Sequence, residues 1–129
     1  MVRDPATRTR TACVVAGASP EQVAAAVETE GVAFRRNALG TLVTGTLGPL
    51  PIDFAHALPG PVYDVFYNRS TGWFAVTIYR GEEQPVRWDN RPGTECGYPR
   101  VDDILGAATP TAILAALDLP ADVLGYALA

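Results

Sequence analysis

The 129-residue chain contains no lysine: its ten basic residues are all arginine, set against fourteen acidic residues for a formal net charge of −4. The molecule as a whole therefore has no basic surplus to attract nucleic acid or anionic lipid. Histidine is almost absent as well. With His56 as the one imidazole, a histidine-based metal cluster is excluded, and any histidine-dependent catalytic pair must use that residue. The two cysteines, Cys13 in an apolar run and Cys96 in a Gly/Pro-rich stretch, make neither a disulfide framework nor a metal-ligand spacing. No uncharged apolar run approaches the length needed to cross a bilayer. Three arginines among the first ten residues are followed only by the short apolar stretch 12–18, broken by Gly17, which is too weak for a secretory signal. Reduced thiols in a cytoplasm are the expectation. The formal glycosylation sequon Asn68-Arg69-Ser70 is discounted for the same reason. Arginine in place of lysine, with abundant alanine, glycine and proline, reads as the imprint of a GC-rich, bacterial coding bias.

What the chain does contain is enough apolar material, 48% of residues against 19% charged, to exclude disorder and to build a core. A chain this size buries roughly two thirds of its unfolded surface, so one domain spanning 1–129 is expected, with residues 1–10 as a flexible arm. Charge is uneven: Asp102, Asp103, Asp118 and Asp122 stand in the last 29 residues without a single basic partner, whereas residues 37–100 are close to neutral.

Residues 11–15 read as a first strand. Ser19, Pro20 and Gln22 then form a capping box with proline at the first helical position, and Gly31 is expected to end that helix. Period-two patterns over 32–36 and 41–47 predict a hairpin that sets Phe34 opposite Val43. Four prolines in 48–61 argue for a loop, or for a short helix around 54–58. The clearest signal is the pair 62–68 and 73–80 around the turn Arg69-Ser70-Thr71-Gly72, which predicts Tyr67 opposite Phe74, Val65 opposite Val76, Tyr63 opposite Ile78 and Asp64 opposite Thr77. Residues 85–89 are expected as an edge strand and 90–100 as a loop. A helical stretch is expected from Asp102, then a proline-capped helix from Thr109 with Ile113, Leu114 and Leu117, and a final turn or two with Val123, Leu124 and Tyr126. The expected fold is α+β: a mostly antiparallel sheet of about five to six strands, an N-terminal helix after strand 1, and C-terminal helices packed on one face.

In the preferred register the hairpin's second face carries Val62, Phe66, Trp73 and Tyr79, unusually aromatic for a solvent face. Either the C-terminal helices cover it or it stays open as a contact surface rich in tryptophan and tyrosine. The leading expectation is a small acidic, non-enzymatic interaction module of the immunity, antitoxin, adaptor or accessory kind, without cofactor or metal, whose partner is another protein or a second copy. Its candidate contact residues are Trp73, Tyr79, Trp88, Arg91, Tyr98 and Arg100. The alternative is a small-ligand domain or enzyme with a pocket between sheet and helices, lined by Tyr63, Tyr67 and Phe74 with Trp88, and made polar by His56, Asp64 or Arg91. A Cys96–His56 nucleophilic pair has no support from spacing. Asp102 and Asp103 are adjacent, so they diverge on a helix and serve its first turn better than a joint reaction. Gly93 and Gly97 lack the lysine and the following helix of a phosphate loop.

Overall fold

The computed structural model describes residues 9–90, 107, 109–119 and 121–124; the expectations for the N-terminal arm before residue 9, for the loop beyond Asn90, for the helix start at Asp102 and for Arg91, Cys96, Tyr98, Arg100 and Tyr126 lie outside these residues. In chain order the elements are β1 (Thr9–Ala16), α1 (Pro20–Ala26), β2 (Val32–Asn37), β3 (Gly40–Gly45), α2 (Leu50–Ala57), β4 (Val62–Asn68), β5 (Trp73–Tyr79), β6 (Val86–Asp89), α3 (Pro110–Ala116) and the single turn α4 (Ala121–Leu124). The six strands form one antiparallel sheet in the order β2-β3-β1-β4-β5-β6.

Local chemistry accounts for the boundaries. The Ser19 backbone N–H donates to the Gln22 side chain at 2.8 Å, and the Gln22 N–H donates back to Ser19 Oγ at 3.2 Å, so two orphan donors of the first turn of α1 are satisfied reciprocally. The helix ends at Ala26, before Gly31, because Val27 is already extended and packs against the core beneath. Asn37 and Gly40 close the β2–β3 hairpin around Ala38-Leu39, and a Cβ on Gly40 would run into the Val15 carbonyl of the neighbouring strand. Asn37 also ties the hairpin to the far helix, donating to the Leu117 carbonyl at 2.7 Å and accepting from the Leu39 N–H at 2.9 Å. The proline-rich stretch supports a longer helix than expected. Pro51 falls in the first turn of α2, where its missing N–H leaves no helical bond unmade.

The β4–β5 register is the expected one, Tyr67 with Phe74, Val65 with Val76, Tyr63 with Ile78 and Asp64 with Thr77. Alternation then sorts side chains to two faces, and helices cover both. On one face Val14, Leu42, Tyr63, Val65, Phe74 and Val76 pack with Ile113, Leu114 and Leu117 of α3 and its end, and with Leu124 of α4. On the other, Cys13, Val15, Val43 and Val62 pack with Val23 of α1 and with Leu50, Phe54 and Ala55 of α2. The C-terminal helices thus occupy one face as expected, but they take the Tyr63–Val65 side and not the aromatic one. Three layers result. Each large aliphatic or aromatic side chain so enclosed contributes about 1.5–3 kcal/mol of transfer free energy.

Candidate functional site

The aromatic face is divided. α1 lies over β2 and β3, while α2 lies over β1, β4 and β5. At the α2 end Val62 is fully buried and Tyr79 packs half-buried beside it. Toward the other end of β4 and β5, no helix among the described residues covers the sheet. Two rows of side chains occupy that region. Asp64, Thr77 and Arg87 stand opposite one another across β4, β5 and β6, and two residues further along come Phe66, Ala75 and Asp89. Trp73 follows at the start of β5, opposite Asn68.

Arg87 connects this group. Its guanidinium carbon lies 5.6 Å from the centroid of the Trp73 ring, within cation–π range. Trp73 meets Phe66 edge-on, with ring centroids 4.9 Å apart and planes at 69°. Arg87 Nε approaches Asp89 Oδ2 at 3.9 Å; both atoms are shielded from solvent, and the separation makes an ion pair, not a hydrogen bond. The Asp89 side chain is 2% exposed and that of Arg87 20%, so this charge pair sits at the floor of the patch while Phe66 and Trp73 are half-buried at its surface.

Among the described residues Asp64 is the most perturbed carboxylic acid. Burial pushes its carboxyl up from the ordinary value near 3.8 to about 6, and the attraction of Arg87 offsets only part of that rise. Its cross-strand neighbour Cys13 is buried, and burial together with the Asp64 carboxylate pushes the thiol far above its ordinary range. Such a thiol is not a nucleophile.

The structure separates most of the residues singled out from sequence. Trp88 is 7% exposed and belongs to the α3-side core, edge-on to Phe74 at 6.2 Å, so it is not a contact residue of the surface. Tyr63 and Phe74 are core residues of that same face, and Tyr67 packs half-buried at its margin. Asp64 points the opposite way. His56 is exposed on α2, beside a shallow groove of about 210 Å³ shared with Ile52, Tyr79, Glu82, Glu83 and Pro85. The alternative pocket of His56, Tyr63, Asp64, Tyr67 and Phe74 is therefore not assembled. Of the contact candidates, Trp73 and Tyr79 share one face.

Arg87 and Asp89 carry the site and were not singled out as a pair by sequence. The signal exists in the alternation of β6: once Arg87 is opposite Thr77, it and Asp89 must share the face of Asp64 and Phe66. Among the described residues no group of three or more His, Cys, Asp or Glu side chains is placed to hold a metal ion. No helix of the described residues is long and apolar enough to cross a membrane. No known protein family, curated protein or solved structure matches the chain.

Proposed function

We propose that the chain is a non-enzymatic protein-interaction module of the immunity, antitoxin, adaptor or accessory kind, acting in a bacterial cytoplasm, and that Phe66, Trp73 and Arg87 meet its partner. One observation carries this reading: an arginine stacked on a tryptophan, itself braced by a phenylalanine, at a half-buried position on the part of the sheet that α1 and α2 leave uncovered among the described residues. Tryptophan and arginine are the residue types in which binding energy concentrates, above all where surrounding packing holds them rigid. The chemistry fits a partner that offers a carboxylate to the guanidinium and an apolar side chain to the ring pair. A buried, free thiol at Cys13 accords with a reducing compartment.

Photo-crosslinking from position 66 in cells identifies the partner, and calorimetric titration of the purified pair then measures its affinity. Trp73→Ala is expected to weaken binding by about thirtyfold or more, the scale of a hot-spot residue, whereas Ile52→Ala on α2 leaves it unchanged. Equal affinities for the two variants would remove the assignment.

A second reading has one specific observation in its favour. Burial raises the Asp64 carboxyl to about 6, and Asp64 shares a face with Arg87 and Asp89, an arrangement open to general acid or base chemistry. In that case a small polar ligand raises the melting temperature of the wild-type protein and not that of Asp64→Asn.

A further inference from the structure

We infer that the protein associates with a second copy of itself by antiparallel pairing of β2 with β2, which joins two six-stranded sheets into one of twelve. β2 is a terminal strand, and among the described residues nothing pairs with its outer edge. It is six residues long and contains no proline, and its pairing with β3 runs in unbroken register from Val32 to Asn37 without a bulge. Very short length, proline and bulges are the features by which edge strands otherwise avoid such pairing, and β2 has none of them. An open groove of about 400 Å³ runs beside it, lined by Arg35, Arg36, Asn37, Leu42, Asp118 and Leu119.

Hydrogen-bond parity fixes which groups the edge offers. The Thr46 N–H donates to the Gly31 carbonyl at 3.2 Å, which makes Gly31–Thr46 a bonded pair; by alternation Ala33, Arg35 and Asn37 are bonded inward to β3. The N–H and C=O groups of Val32, Phe34 and Arg36 therefore point outward.

Side-chain chemistry then selects the register. A two-fold axis normal to the sheet keeps each helix layer on its own side only if paired residues share a face. Centring the axis on Arg35 or Arg36 would set like charges directly opposite each other, which is unfavourable, and centring it on Ala33 would leave Arg36 opposite the bend at Glu30 with only four main-chain bonds between the strands. Centring it on Phe34 places Phe34 against Phe34, Arg36 against Val32, and Arg35 against Ala33 of the second copy. All three outward residues then fall in bonded pairs, giving six main-chain hydrogen bonds. Arg36 also arrives at the end of the second copy's strand where Glu30, an exposed acid, precedes β2. Two such arginine–glutamate approaches follow from symmetry, so the second copy is complementary in charge as well as in backbone. The Trp73 surface stands toward the opposite edge of each sheet and remains free in the dimer.

Sedimentation equilibrium on the full chain between about 5 and 500 µM tests this, a range wide enough to reveal a micromolar self-association. The wild type is expected to pass from monomer to dimer mass. Arg36→Pro removes an outward N–H that β3 does not use and should leave only monomer. Position 33 is exposed and tests the register independently of any folding defect at 36. Opposite Arg35 of the second copy, Ala33→Glu should tighten the dimer and Ala33→Arg weaken it, each by roughly two- to thirtyfold for two symmetric pairs. A wild type that stays monomeric throughout, a folded Arg36→Pro variant that dimerises undiminished, or two position-33 variants that shift in the same direction would overturn the proposal.

Discussion

Replacing Asp64 by asparagine should make the protein more stable at neutral pH, and the gain should vanish in acid. In the folded protein the Asp64 carboxyl titrates at about 6, against an ordinary value near 3.8. At 1.36 kcal/mol for each pH unit, its ionisation in the fold is harder by about 3 kcal/mol. Because the folded pKa is raised, the folded state holds the proton more tightly than the unfolded chain between these two values. The stabilisation is thus fully present below about pH 4 and is lost as pH rises through about 6. Asparagine keeps the shape, carries no charge and does not titrate. Urea denaturation of both proteins from pH 4 to pH 8 isolates the effect, since every other carboxylate contributes equally to the two curves. The difference between them should be near zero at pH 4 and grow to as much as about 3 kcal/mol in favour of Asp64→Asn at pH 7.5, equivalent to about 10 °C in melting temperature. Arg87→Gln removes the attraction that offsets part of the burial cost and should raise the Asp64 value further, steepening the loss of stability with pH. Parallel curves for wild type and Asp64→Asn, or a variant less stable at pH 7.5, would refute the reasoning.

The two tryptophans should behave oppositely: Trp88→Ala is expected to cost about 3–5 kcal/mol in denaturant melts as a core truncation, whereas Trp73→Ala, from a half-buried position, costs clearly less. Cys13 should resist a thiol reagent such as DTNB in native buffer and react at once in denaturant, because burial suppresses both its thiolate and its access. Asn37→Ala should lower stability by about 1–3 kcal/mol, since it leaves the Leu117 carbonyl at the end of α3 without its 2.7 Å donor.

How much was legible in the sequence follows from how far each constraint reaches. The β4–β5 hairpin was readable residue by residue because a short turn leaves few registers, and a one-residue slip would set Asp64 beside Val76. The capping box of α1 was equally local, and both of its hydrogen bonds form. The covering of the second face was not readable. For Val62 and Tyr79 the sequence offers either the C-terminal helices or no cover, because the prolines of 48–61 point to a loop or a short helix at 54–58; the longer helix that forms there shields them. The site failed for a related reason. Trp88 has the composition of a contact residue, but its parity in β6 sends it into the α3-side core and sends Arg87 and Asp89 the other way. The longer connection from Tyr79 to Val86 leaves that parity unfixed by sequence, so the arginine that organises the patch was one of ten until the sheet order placed it.

The position of β1 has a kinetic meaning. β2 with β3, and β4 with β5, are hairpins whose ends meet across short turns, as Asn68 and Trp73 do at five positions apart. β1 lies between these two groups and is the one strand bonded to both, and its pairing of Val15 with Val62 brings together residues 47 positions apart. Closing that longer loop costs about 2 kcal/mol more chain entropy than closing the β4–β5 turn, by the logarithmic dependence on loop length. The hairpins can therefore form as independent early units, while insertion of β1 is the step at which the chain first becomes a single cooperative sheet. Truncations within Val14 or Val15 should slow folding in proportion to the stability they remove, and equivalent truncations in β6 should chiefly speed unfolding.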